Sequence, residues 1–468
     1  MAVSPQLQAA IAAHRFGLGE PDLGIVGQDA EGWLAAQIGP ADAPRGTGLL
    51  DTRAALRLVA EEREKRQQAK NPPPGMTAEQ VLAGHYRETI VADARSRLAT
   101  AAATKRPFAE RLQWFWANHF TVSVLKGSTR GLVGAFERDA IRPNIAGRFE
   151  TLLVAATTHP AMLRYLDNWL SAGPHSRVVA LEARRAARLA EGARVSGINE
   201  NLAREVLELH TLGAEGARNG AYTQADVTAF AAVLSGWPIA RDPAADAALF
   251  DANWHEPGRK TVLGKSYGEG PDALREVLHD LARHPATARF VATKLARHFV
   301  ADEPPPTLVE RLAAVYLKSD GQLGELYREL LHHDASWSAA PAKLKTPEEF
   351  VVSTARLLGG GERMFERPEV LNVGGAVLAL GQRVMAAPSP AGWSDRGEDW
   401  LGPDAVWKRV EWATRIADRA GRSVDARRLA AESLGPRLGA ETARQIERAA
   451  DGSQALALLL LAPEFQRR

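Results

Sequence analysis

The sequence predicts a mainly α fold: a large multi-helix domain with one short β-hairpin or extended loop inserted near 249–268. Three observations predict it. Apolar residues recur at helical spacing along most of the chain, as Leu202, Val206 and Leu209 do at i, i+4, i+7. Helix starts carry caps and first-turn prolines, as in Thr346-Pro347 with Glu349, Thr223 with Asp226, and His159-Pro160. Only 249–268 lacks a helical period, and Pro257-Gly258 suggests its turn, with His255 and Glu256 at the tip.

In chain order, residues 5–38 read as two short helices around the glycine turn of His14-Arg-Phe-Gly-Leu-Gly19, with Asp29 as a cap. A helix over 51–70 ends in a charged run and stops at Asn71-Pro-Pro-Pro-Gly75. A long helix follows from Thr77 to Ala103. Phe108 to Phe120 is an aromatic helix whose Phe108, Leu112, Phe115, Trp116 and His119 share one face. His119 is there either a hydrogen-bonded core histidine or a ligand, and Trp114 and Trp116 are either core or a stacking platform. Helical pattern over 128–156 breaks at Pro143. The helix opened by Pro160 closes on Asp167 and Asn168, which either terminate it or offer oxygen donors. Arginines 177, 184, 185, 188 and 194 make a basic helix, read as a solvated face or a flap.

The helix over 196–213 gathers the most chemistry. Asn199 reads as its N-cap and Gly213 as its left-handed C-cap. At 100 degrees per residue, Glu200, Arg204 and Glu208 form an outward ladder, while Asn201, Glu205 and Glu208 form a set beside the apolar stripe. Glu205 falls between Leu209 and Leu212 in projection, so at least half of it is expected to be buried. A buried carboxylate must be paired, protonated or bound to a cation. The plain reading is an arginine from a neighbouring helix; the functional one is a site.

Helices are expected again over 223–235, 271–283, 285–300, 306–318 and 321–333, and from Thr346. Gly359-Gly-Gly361 is a break and 388–400 a tryptophan-bearing loop. The last helices run over 403–420, 425–433, 440–450 and 453–461. Residues 1–335 read as the main domain, carrying the 196–213 helix and the insert. Residues 336–468 read as a helical region packed on it, or continuous with it.

Composition narrows the function classes. The 468 residues carry a net charge of +2, which gives no global case for nucleic acid or a membrane surface. The absence of cysteine excludes disulfides, thiolate metal sites and a cysteine nucleophile. The longest apolar run, Ala455 to Ala462, is far short of a span. No basic segment leads into an apolar one at the N-terminus, so the sequence as it stands reads as cytoplasmic. No phosphate-binding loop or strand-flanked dinucleotide fingerprint is present, so no nucleotide cofactor is expected.

Several motifs stand together in order. They are His14-Arg-Phe-Gly, Phe115-Trp-Ala-Asn-His-Phe120, Pro160 to Asn168, Asn199-Glu-Asn-Leu-Ala-Arg-Glu-Val-Leu-Glu-Leu-His-Thr-Leu-Gly213, Tyr222 to Val227, Ser235-Gly-Trp237, His255-Glu256, Lys345-Thr-Pro347 and Pro390-Ala-Gly-Trp393. With them the chain resembles the bacterial domain-of-unknown-function 1800 family over almost its whole length. That family has no established general activity. The resemblance implies an exported or periplasmic setting and a neighbouring protein of phosphatase or sulfatase type as partner. This chain departs from the family at Glu256, where an aspartate is usual, and at Pro463, where a serine is usual.

The expectation is a metal-assisted enzyme, a hydrolase or an oxidase. Glu205, Glu208, His119 and His255 would be the ligands of a divalent manganese, iron or zinc ion. Glu205, Glu256 and Asp167 are the candidate catalytic carboxylates. Two alternatives stand beside it: a non-catalytic partner or maturation factor for the phosphatase-like neighbour, and a metal-free enzyme with Glu205 as proton acceptor.

Overall fold

Capping chemistry sets most of the helix starts. Thr77, Thr223 and Thr346 each accept from the backbone three residues on, and Gln80, Asp226 and Glu349 return the bond. Three histidines do the same work with a ring. His159, His284 and His333 each accept through Nδ1 from the backbone two residues on, at 3.1, 3.1 and 3.2 Å. An accepting ring nitrogen must be unprotonated, and burial pushes His159 down to about 4, which keeps it neutral.

The computed structural model describes residues 3–189, 197–237, 250–361, 363–366 and 375–468. It is mainly helical, as the sequence predicts, with one antiparallel hairpin of Lys260–Val262 against Lys265–Tyr267. Helices Thr52–Lys70, Ala78–Ala103, Pro107–His119, Pro271–Arg283, Pro306–Lys318 and Pro403–Ala420 fall close to where the patterns put them. The basic helix is described as Arg177–Leu189; Arg194 and Ser196 lie outside the described residues, as does Leu249 at the head of the insert. No described helix is long and apolar enough to cross a membrane.

The hairpin turns at Leu263-Gly264, not at Pro257-Gly258. Both turn residues have positive φ, 50° and 75°, the twist a two-residue hairpin needs. Leucine is an unusual occupant, and its backbone N–H is held by the Asp226 carboxylate at 2.7 Å. His255 and Glu256 precede the first strand, so they sit on the entering loop and not at the tip.

Buried apolar side chains form two bodies. One draws on residues 9–337 with Ala386, the other on 350–465 together with Leu18, Leu98, the alanines at 99, 101 and 102, and Trp114. Helix Pro107–His119 reaches both: Phe108, Phe115 and Trp116 pack in the first and Trp114 in the second. Trp116 is fully buried and donates to Tyr327 Oη at 2.6 Å, so the aromatic helix is core. Buried ion pairs join the two bodies. Arg97 reaches Glu348, Arg111 reaches Glu349 at 2.7 Å, and Arg356 pairs with Glu20.

Candidate functional site: a carboxylate pair on a wide helical turn

The central segment is not a uniform helix. Asn201–Glu205 is α-helical, and Val206–Thr211 then widens into a π turn that ends with Leu212 N–H bonded to Leu207 O at 2.9 Å. A π turn inserts one residue and rotates everything after it. The buried stripe therefore runs from Leu202 and Val206 to Leu207, His210 and Thr211, while Leu209 is only half-buried. Thr211 Oγ1 closes the wide turn on Val206 O at 2.7 Å.

The segment begins at Glu200, one residue after the expected cap. Asn199 instead accepts from Asn201 N–H at 2.9 Å in a side-chain turn that leads into the helix. Glu200 takes Arg204 at 3.1 Å, as the ladder predicts, and also Gln224 and Thr228. Asn201 is exposed and leaves the expected inward set.

Glu205 and Glu208 remain, both half-buried and one turn apart. Neither carboxylate makes a hydrogen bond or an ion pair with any described residue. The neighbouring-helix arginine of the plain reading is absent among the described residues, and Arg204 is bonded to Glu200. Burial, then the charge of Glu208, raises the Glu205 carboxyl above its ordinary value, with Arg204 opposing. Two tyrosines border the pair. Burial and Glu205 push Tyr165 up to about 12, and burial and Glu208 raise Tyr222.

The other expected site residues lie elsewhere, each with partners of its own. His119 is buried and its Nε2 stands 3.0 Å from His210 O, so Nε2 carries the proton, and Nδ1 has no partner among the described residues. Burial first, then Lys294 and His210, lowers it well below the ordinary value. His255 uses both ring nitrogens: Nδ1 donates to Ser235 O at 2.8 Å, and Nε2 accepts from the Lys260 ammonium at 2.9 Å. Glu256 receives His175, through backbone N–H at 2.9 Å and ring Nδ1 at 2.6 Å. Gly173 lies against Glu256 so closely that an added Cβ would stand 2.5 Å from Oε2. Asp167, in left-handed backbone at φ 57°, pairs with Lys126 at 2.6 Å. Lys126 also donates to Tyr165 O, so this pair closes the helix end that precedes it. Among the described residues no three histidine, aspartate or glutamate side chains stand together as metal ligands. The pair Glu205 and Glu208 is what the structure brings together from the expected set.

Sequence reasoning passed over Lys294 and Phe290 on helix Pro285–Phe299. Phe290 lies against Gly213, which holds φ 81°, and a Cβ at 213 would stand 2.6 Å from Phe290 Cδ2. Gly213→Ala is therefore expected to lose about 1–3 kcal/mol, from left-handed strain and displacement of the ring. Chemical denaturation checks the loss, and an unchanged midpoint would contradict it.

A family model described as a protein of unknown function (DUF1800) matches residues 11–467. No curated protein and no solved structure matches the chain.

Proposed function

The chain belongs to the DUF1800 family, and from that premise we propose that it is a cation-dependent enzyme whose centre is the Glu205–Glu208 pair. One observation carries the reading. Two half-buried carboxylates one turn apart have no counter-charge bonded to them among the described residues. Like charges so placed favour a proton or a cation between them. A hard divalent ion such as manganese suits two carboxylates, with water and a substrate oxygen completing its shell. Such an ion would polarise the substrate and lower the pKa of a bound water. Glu205, raised by burial, is suited to take a proton, and the Tyr165 and Tyr222 hydroxyls to donate hydrogen bonds. An all-oxygen pair suits hydrolysis better than oxidation, because the two histidines expected beside it as metal ligands are tied to other partners.

Manganese titrated into the metal-free protein is expected to bind at one site and raise the melting temperature. Glu205→Gln and Glu208→Gln should each weaken binding by about tenfold or more, the usual scale for a lost charged contact. If both variants bind manganese as the parent does, the proposal fails. If the parent binds no divalent ion but Glu205 titrates above the ordinary glutamate range, the metal-free acid/base reading replaces it. A second reading, a partner protein for a phosphatase-like neighbour, draws support from the apolar surface of Leu401, Val406 and Trp407, the last 67% exposed.

A further inference from the structure

Behind the π turn, on the side of His210, lies a cavity of about 310 Å³. Residues 212–221 form one wall and helix Pro285–Phe299 the other. It shares no lining residue with the carboxylate pair. Its walls carry Arg218, Arg289, Lys294 and Arg297, against one acid, Glu215. None of the four cations has a carboxylate bonded to it among the described residues. Among the described residues Arg297 donates only to the backbone oxygen of Asp302, at 3.0 Å. The Lys294 ammonium makes no hydrogen bond with a described residue and stands 5.6 Å from the centre of the Phe290 ring. The His119 ring lies 6.1 Å from that of Phe290, and the buried His119 and His210 each have an Nδ1 without a partner among the described residues. Lys294 and Arg297 also line a smaller adjoining hollow with Asn118, Trp393 and Asp395.

Four cations against one lining acid, Glu215, with no carboxylate bonded to any of them among the described residues, make a positive field in a concave site. Surface arginines and lysines on ordinary helices point into water and meet acids, as Arg311 meets Glu329 on a neighbouring helix. Here Phe290 stands in the wall, and Lys294 and Arg297 are half-buried, so their charges are screened less than those of a fully solvated side chain. We propose that this cavity binds a small molecule through a tetrahedral oxyanion, a phosphate or sulfate group gripped by Lys294, Arg289 and Arg218, with Phe290 against its organic part. The volume holds a compact monoester, not a polymer.

Protonation sharpens the inference. Burial, with Arg297 adding to it and Asp395 opposing, lowers Lys294 to about 8. Binding an anion favours the charged lysine, so affinity should be full below pH 8 and fall as the pH rises through it. The other charged groups facing the cavity are Arg218, Arg289, Arg297 and Glu215. Asp395 stands with Lys294 in the adjoining hollow, where burial would raise its carboxyl but His298 outweighs it and holds it well below the ordinary carboxylate range; burial holds the nearby His119 and His210 neutral.

The test uses the full chain and three probes at matched ionic strength: sulfate, inorganic phosphate and phenyl phosphate, with chloride as control. Saturable single-site binding by calorimetry is expected for all three oxyanions, tightest for phenyl phosphate. Sulfate, a dianion throughout, should bind about tenfold more weakly at pH 9.5 than at pH 7. Lys294→Met and Arg289→Ala should each weaken binding about tenfold. Arg289 is exposed, so its variant folds even if the lysine variant does not. Binding no stronger than chloride's, or affinity unchanged in Arg289→Ala and across pH 7 to 9.5, overturns the proposal. Equal affinity for phenyl phosphate and inorganic phosphate overturns the role given to Phe290.

Discussion

Arg97→Met is expected to lower the unfolding free energy by about 3–5 kcal/mol, the scale for breaking a buried charge pair from one side. Arg97 serves two acids at once. Its Nε donates to Glu348 Oε1 at 2.5 Å, and one terminal nitrogen reaches both Glu137 oxygens, at 2.9 and 2.8 Å. Side-chain exposure is 10% for Arg97, 11% for Glu137 and 7% for Glu348. Methionine fills similar length but leaves two carboxylates facing each other away from water. Gln113 at 3.1 Å from Glu137, and the Gln382 oxygen that accepts from the Glu348 backbone, supply no positive charge. Burial already raises Glu348 above its ordinary value, with Arg97 opposing. Without the arginine both acids must gain protons to stay inside. Their folded pKa values then exceed the unfolded ones, so the native state binds more protons and stability rises as pH falls. The deficit measured by urea denaturation should thus be largest at neutral pH and shrink toward pH 5. Adding Glu348→Gln to the variant should return part of the loss. A loss under about 1 kcal/mol, or one independent of pH, would contradict the argument.

This network marks where sequence reading stops. Helix starts were legible because a cap is local: Thr346-Pro347-Glu348-Glu349 declares its own geometry in four residues. What Glu348 and Glu349 meet was not legible. Their arginines come from positions 97, 111 and 468, and only folding brings them there. The central segment was half legible. Its charges, its Glu200–Arg204 pair and its Gly213 stop all follow from spacing. Its π turn does not, since a 3.6-residue phase assumes the helix never widens. That error matters, because it moved the buried face from Leu209 to His210 and hid the Lys294 cavity behind it. The hairpin shows the same limit. Pro257-Gly258 is the better turn sequence, yet the chain turns at Leu263, where Asp226 from another element holds the backbone. His119, His255, Glu256 and Asp167 carry side chains able to act as ligands or bases, but the partners that occupy them lie far off in sequence or on the first strand of the hairpin.

Glu349→Gln is expected to be as severe as the loss of Arg97, and its deficit also shrinks as the pH falls, here because the parent loses stability and not because the variant gains it. Glu349 Oε1 accepts from Arg111 at 2.7 Å and Oε2 from Arg468 at 3.1 Å, all three side chains being 5% exposed or less. Each guanidinium is also tied to a carbonyl, Gly17 O at 2.9 Å for Arg111 and His298 O at 2.6 Å for Arg468. Burial alone would raise the Glu349 carboxyl; Arg111 and Arg468 outweigh it and hold the group down at about 2. The folded value is below the unfolded one near 4.5, so this carboxylate stabilises the fold above pH 4.5. That contribution disappears as the pH falls from there toward 2. The span corresponds to on the order of 3 kcal/mol. Glutamine keeps the side-chain shape and an oxygen for the Thr346 cap, yet leaves two buried arginines facing one remaining acid, Asp395. A loss of about 3–5 kcal/mol follows at neutral pH. Because glutamine does not titrate, the gap between parent and variant should narrow below pH 4.5, where the parent loses what the variant never had. Arg111→Met in the same chain should restore part of the stability by removing one uncompensated charge. The cycle formed by the two single variants and the double reports that coupling directly. A gap that stays constant from pH 7 to pH 3 would show that Glu349 acts through packing and capping alone.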